Sequence, residues 1–314
     1  MRPGTPTLTR NFADLRRKVI SLGCQGLYGP RMIKLPILAH ALVAQRLAQR
    51  LVLCIALSVA LCGASFAQSP DGLNAASFRQ GWQTAQGSYM TALDVQLQPG
   101  WKTYWRAPGD AGIPPQFDWS GSDNIASVRL HWPSPQVFDL NGMRSIGYHD
   151  ALILPMEVKP QDPTSPVTVQ LSVHMGICKD ICLPATLTVT GKVSGAGTAD
   201  PAIRAALDLR PMSADEAQLA HLSCTVAPIK DGLRLTAQLD LPRFGADAEA
   251  VVFETNDPSI WVSQADAQRA GGRLTAISDL VGPSGAPFAL ERQGLTVTVI
   301  SGRSSVELKG CPAP

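Results

Sequence analysis

The stretch "HMGICKDICLPA", His174–Ala185, sets Cys178 and Cys182 three residues apart between two runs that read as β-strand. Two sulfurs at this spacing can act as a covalent staple, as soft-metal ligands or as a redox couple. A bond between them would close about five residues, which the chain-entropy relation values at roughly 2 kcal/mol. A hairpin already holds those ends together, so the gain as a staple is smaller still, and reactivity is the better reason for the pair. Thiol–disulfide exchange asks for a thiolate that reaches a partner's sulfur and a second thiol that resolves the mixed disulfide. A turn at the end of a hairpin is expected to present both sulfurs outward. Gly176 would lend the backbone freedom, and Pro184 would restrict the outgoing strand. Lys179 favours a neighbouring thiolate and Asp180 opposes it. The metal alternative groups His174, Met175, Cys178 and Cys182, types that suit Cu(I), but His174 and Met175 point to opposite faces of a strand.

The compartment decides how the cysteines are read. Residues 1–67 carry nine Lys or Arg against one acid, Asp14, a balance of +8; the remainder holds 18 basic and 24 acidic residues, a balance of −6. An acidic remainder lacks the basic face that nucleic-acid binding requires. The basic part ends in "LVLCIALSVALCGASFA", Leu51–Ala67, with Arg46 and Arg50 before it and small residues, Ser65 and Ala67, flanking Phe66 at the end. That is the layout of a cleavable secretory signal peptide behind a long N-terminal extension, with a start at Met32 fitting the pattern. An uncleaved anchor is the alternative, since the run is at the lower limit of a span; the polar "QSPDG" after it favours cleavage. Export to the periplasm removes Cys24, Cys54 and Cys62 and leaves Cys178, Cys182, Cys224 and Cys311 in an oxidising compartment. An even set there suggests disulfides and allows three pairings. Joining Cys224 to Cys311 would close about 88 residues, worth roughly 4.6 kcal/mol. That is the value of a structural disulfide. No later segment approaches the length of a membrane span, so a soluble mature protein is expected.

The elements that must position these residues are strands. "YMTALDVQLQ", "SVRLHW", "VTVQLSVHM" and "ATLTVTG" alternate or are rich in Val and Thr, and Pro/Gly/Asp clusters such as "APGDAGIPP" and "KPQDPTSP" punctuate them. The pattern predicts an all-β chain: an immunoglobulin-like β-sandwich over residues 68–194, then a second, smaller β-sandwich-like domain over 221–314. Residues 195–220 read as a linker with a short helix, Asp200 serving as N-cap and Pro201 as first helical residue.

With these residues assembled, "PGWKTYWRAPGDAGIPPQFDW", "HWPSPQVFDLNGMRSIGYHDALILPMEV" and "MGICKDICLPA" resemble the amino-terminal periplasmic domain of the DsbD thiol:disulfide interchange proteins, more closely its ScsB-like branch. The resemblance covers roughly residues 77–192. "NDPSIWVSQADAQRAGGRLTA" and "SSVELKGC" are similar to the segment next to that domain in ScsB-like proteins. The resemblance implies an immunoglobulin-like domain whose cysteines take electrons from a membrane partner and pass them to oxidised periplasmic thiol proteins. Cys178 and Cys182 match the redox pair, with Cys182 the nucleophile and Cys178 its resolver. "FDLNGM" falls at the family's cap loop, so Phe138 or Leu140 would cover the pair and Asp139 would be its acidic neighbour; Tyr104 falls at the aromatic beside the site. Tyr104, Trp105 and Phe138 could equally be ordinary packing. No organic cofactor and no metal are implied. Family members continue into a membrane electron-transfer domain, which these 314 residues do not contain, so a separate membrane protein of the DsbD or CcdA type is expected as donor. Cytochrome c biogenesis and copper tolerance are the processes the resemblance suggests. A binding module for copper or a protein client, with a structural disulfide, is the alternative.

Overall fold

The structure, a computed structural model, describes residues 70–314 except 111, 141 and 142, and only the backbone of Leu140. The leader, including the expected signal peptide, lies outside the described residues. Ten strands build the first sandwich: β1 (Leu73–Gln83), β2 (Tyr89–Leu97), β3 (Lys102–Tyr104), β4 (Gln116–Asp118) and β5 (Ile125–Leu130), then β6 (Gln136–Leu140), β7 (Met143–His149), β8 (Ala151–Pro160), β9 (Val167–Cys178) and β10 (Cys182–Val193). One sheet runs β1-β2-β8-β5. The other runs β10-β9-β3-β7-β6, with β4 also paired to β9. Neighbours within each sheet are antiparallel.

Period-two alternation assigns the faces. Leu93 and Val95 of β2 and Leu154, Met156 and Val158 of β8 meet Val169, Leu171, Val173 and Ile177 of β9 in the core, with Trp105 beside them. The intervening residues of β9, His174, Gly176 and Cys178, therefore lie on the outward face of the second sheet. On β2 the outward Met90 and Ala92 are buried too, because Ile203 of helix α1 (Pro201–Asp208) packs on them. Asp200 caps that helix, accepting from the amides of Ala202 and Ile203. The helix covers the first sandwich rather than spacing the two domains.

The second sandwich contains β11 (His221–Ile229), β12 (Gly232–Asp240), β13 (Ala250–Glu254), β14 (Trp261–Val262), β15 (Asp266–Ala270), β16 (Arg273–Val281), β17 (Thr296–Ser301) and β18 (Ser304–Lys309). Its sheets are β11-β12-β16-β14, with β15 also on β16, and β13-β17-β18. Leu235, Leu239, Leu274, Leu280, Val297 and Val299 fill its core around Cys224 and Cys311. The sandwiches touch through Ile300, which packs into the first core, and through Arg106. Its guanidinium donates to both carboxylate oxygens of Glu254, at 2.8 and 2.9 Å, and to Glu307 at 2.5 Å. Among the described residues no helix is long and apolar enough to cross a membrane.

Candidate active site

The β9–β10 hairpin is paired without interruption from Val167↔Val193 to Cys178↔Cys182, so its connection is the three residues Lys179–Ile181. The strands extend past Met175, where the alternating pattern ends, because Gly176 and Pro184 sit opposite one another and neither breaks the ladder. Pro184 is tolerated because β10 is the edge of its sheet. Register thus places the two cysteines side by side, Cα atoms 4.2 Å apart, and they are joined as a disulfide.

Their environments differ. Cys178 is 1% exposed, whereas Cys182 is exposed. The expectation that the hairpin end presents both cysteines outward is therefore corrected: both lie on the outer face of the sheet, but Cys178 is covered there. Strand order is the physical reason. Cys178 stands on a strand flanked on both sides, by β10 and β3, while Cys182 opens the edge strand and has a neighbour on one side only.

Tyr104 covers the pair. It is 2% exposed, and its hydroxyl lies 2.8 Å from Cys182 Sγ and 3.0 Å from Cys178 Sγ. Burial pushes its phenol pKa up, so at neutral pH it is a protonated donor facing both sulfurs. Gly176 makes room for it: a Cβ there would stand 2.9 Å from the ring's Cε2 and 3.2 Å from Ile113 Cβ. Gly176 thus serves by lacking a side chain, not by freeing the backbone; the strand is regular there. Thr103 fixes the same pair of strands, its hydroxyl donating to the Gly176 carbonyl at 2.9 Å. Trp105 faces the opposite way and is packing, fully buried in the core.

The remaining expected residues are spread more widely. Phe138 shares the outward face, and its ring lies 5.9 Å from that of His149 and 4.9 Å from Lys102 Nζ. Asp139 is exposed and pairs with Arg144 at 3.4 Å. The side chain of Leu140 and the residues 141 and 142 lie outside the described residues. His174 is exposed and its Nδ1 is 2.9 Å from Thr186 Oγ1, while Met175 is buried on the other face. Among the described residues no three His, Cys, Asp or Glu converge as a metal site. Cys224 and Cys311 form the second disulfide, both sulfurs within the core of the second sandwich.

Three residues escape sequence reasoning: Lys102, Ser145 and His149. Lys102 is opposite both Cys178 and His149, and its Nζ donates to Ser145 Oγ at 3.1 Å. A signal for it is present, since a residue two before Tyr104 shares its face in any strand.

Residues 74–193 match the family model described as thiol:disulfide interchange protein DsbD, N-terminal. Over these residues the first sandwich is similar to the DsbD N-terminal domain. The crystal structure of the N-terminal periplasmic domain of ScsB from Proteus mirabilis is similar, with a TM-score of 0.55 and 21% identity over 76% of this chain and 91% of that one. That share of the chain is larger than residues 74–193 supply, so the likeness in fold extends beyond them into the second sandwich. No curated protein matches the chain.

Proposed function

We propose that the chain is a periplasmic thiol–disulfide exchange protein, relaying electrons from a separate membrane protein of the DsbD or CcdA type to oxidised periplasmic thiol proteins through Cys178 and Cys182. The supporting observation is the asymmetry of the pair: Cys182 is an exposed residue on the edge strand, and Cys178, bonded to it, is buried beneath a protonated Tyr104. Such a pair has an attacking and a resolving member built in. In the reduced protein the Cys182 thiolate attacks a client disulfide, forming a Cys182–client bond and releasing one client thiolate. Cys178 then attacks Cys182 Sγ, re-forming the internal disulfide and releasing the second client thiolate. Each client thiolate takes a proton from water, and the two electrons of the dithiol leave with the client. Phe138 and Asp139, with Leu140, are the proposed cap over this exchange, and Cys224–Cys311 is a structural bond.

Trapping tests the assignment. Cys178→Ser should accumulate mixed disulfides with periplasmic thiol proteins, and Cys182→Ser should not. Equal trapping by both variants, or none by either together with a reduction potential below about −300 mV, the range of inert structural disulfides, would refute it.

A further inference from the structure

Lys102 and Arg106 lie on one stretch of chain, on either side of Tyr104, and are treated oppositely. Arg106 is compensated by two carboxylates, Glu254 and Glu307. Lys102 has none: among the described residues no carboxylate oxygen comes within 4.0 Å of its Nζ. Its contacts there are neutral, the Ser145 hydroxyl at 3.1 Å and the face of the Phe138 ring at 4.9 Å. Yet its side chain is partly buried, enough that desolvation holds the ammonium pKa below its ordinary value. A desolvated cation without an anion is costly. Register puts Lys102 directly across from Cys178 on the same face, where opposed Cβ atoms stand about 5 Å apart. Cys178 itself is sealed from water, so a thiolate there cannot rely on solvation. The absent anion is the one that opening the disulfide creates.

We propose that Lys102 is a positioning residue that becomes the counter-ion of the Cys178 thiolate when the disulfide opens, leaving the Ser145 hydroxyl and the Phe138 ring on which it rests in the closed form. Lys102 keeps its proton throughout; its charge stabilises the resolving sulfur until that sulfur attacks Cys182 Sγ. The same movement withdraws a cation from the ring of Phe138, so the hairpin of β6 and β7 senses the charge of the pair. The other groups around the site do not substitute for it. Tyr104 on β3 is a neutral donor, His149 on β7 is held by Asp150 at 3.0 Å, Asp139 on β6 is held by Arg144, and Lys179 and Asp180 at the hairpin tip are exposed and opposite in charge.

The test uses the full chain with Cys24, Cys54, Cys62 and Cys182 all replaced by Ser, which leaves Cys178 as the free thiol because Cys224 and Cys311 are bonded to each other. Its thiolate is titrated by ultraviolet absorbance, alone and combined with Lys102→Met, Lys102→Gln or Lys102→Arg. Removing the charge should raise the titration midpoint by about one pH unit or more, cutting the thiolate fraction about tenfold at neutral pH; Gln should behave as Met although it keeps a donor for Ser145, and Arg should restore most of the effect. An unchanged midpoint with Gln or Met, or an equal shift with Arg, overturns the proposal. The resolving step rests on the exchange function proposed above, and a second measurement separates the two. If a client mixed disulfide forms on the intact pair, Lys102→Gln should lengthen its lifetime about threefold, the tenfold loss of thiolate being partly offset by the greater nucleophilicity of a thiolate of higher pKa, and an unchanged lifetime overturns the proposal. If none forms with the unaltered protein, the exchange function fails while the titration still decides the ion pair.

Discussion

Gly176→Ala puts the packing of the site to a direct test. The added Cβ would meet Tyr104 Cε2 at 2.9 Å, Cδ2 at 3.0 Å and Ile113 Cβ at 3.2 Å, each short of a comfortable carbon–carbon contact by several tenths of an ångström. The ring cannot evade it cheaply, because Tyr104 is buried and its strand is hydrogen-bonded on both sides. Overpacking of this kind costs about 1–3 kcal/mol, while replacing glycine returns about 0.4–1 kcal/mol through the unfolded chain. The net is a loss of about 1–2 kcal/mol, which for a protein of this size lowers Tm by about 2–8 °C. A ring displaced outward also carries its hydroxyl off the sulfurs, so dithiothreitol should reduce the Cys178–Cys182 bond faster than in the unaltered protein. In a Tyr104→Ala background only the 3.2 Å contact with Ile113 Cβ remains, and most of the cost of Gly176→Ala should then disappear. A Tm that is unchanged or raised in the unaltered background, or a loss that is undiminished after Tyr104→Ala, would refute the assignment of Gly176 as the seat of the tyrosine.

Two further outcomes are expected. Replacing Cys224 and Cys311 together by Ser removes a closed loop spanning 87 positions and should cost roughly 3–5 kcal/mol, read by denaturant unfolding of the second sandwich, with the reduction rate of the Cys178–Cys182 bond unchanged. Acid stability should depend on Glu307: burial pushes its pKa up, but the Arg106 and Lys309 charges outweigh this and hold it below its ordinary 4.5. Because the folded pKa is the lower one, the unfolded chain binds more protons in this window. Glu307 therefore stabilises above about pH 4.5 and ceases to as pH falls through its folded value, so Glu307→Gln should flatten the acid limb of a Tm–pH curve while wild type falls along it.

The range of an interaction decides whether the sequence discloses it. Alternation within "VTVQLSVHM" and "LRLTAQLDL" is local, and it correctly marks β9 and β12. Asp200 and Pro201 are a local capping signal and open α1 as read. The Cys178–Cys182 spacing admits a disulfide without fixing it, since four cysteines allow three pairings, and the register of β9 and β10 selects the bond. The unequal burial of that pair is not legible, because it depends on which strand lies beside each cysteine, and β3 is some 75 residues earlier in the chain, as the Tyr104–Cys178 separation of 74 shows. Arg106 is illegible for the same reason, with its carboxylates 148 and 201 residues away. Gly176 misleads in another way: a glycine in sequence advertises backbone freedom, while the need for an empty Cβ position emerges only once Tyr104 is placed above it.

Strand β3 is too short to be held by its own ladder, three residues from Lys102 to Tyr104, yet it carries the hydroxyl that faces both sulfurs and the ammonium opposite Cys178. Its position must be fixed from elsewhere. Trp105, the next residue, is fully buried in the core, and Arg106 beyond it is clamped by Glu254 and Glu307 of the second sandwich and lies 4.2 Å over the Trp105 ring. Two residues of extended chain span about 7 Å, so a clamp at Arg106 leaves Tyr104 little latitude. This gives the second sandwich a mechanical part in the chemistry. In the exchange proposed above it would hold the donor strand still, so that the Tyr104 hydroxyl keeps its place beside both sulfurs.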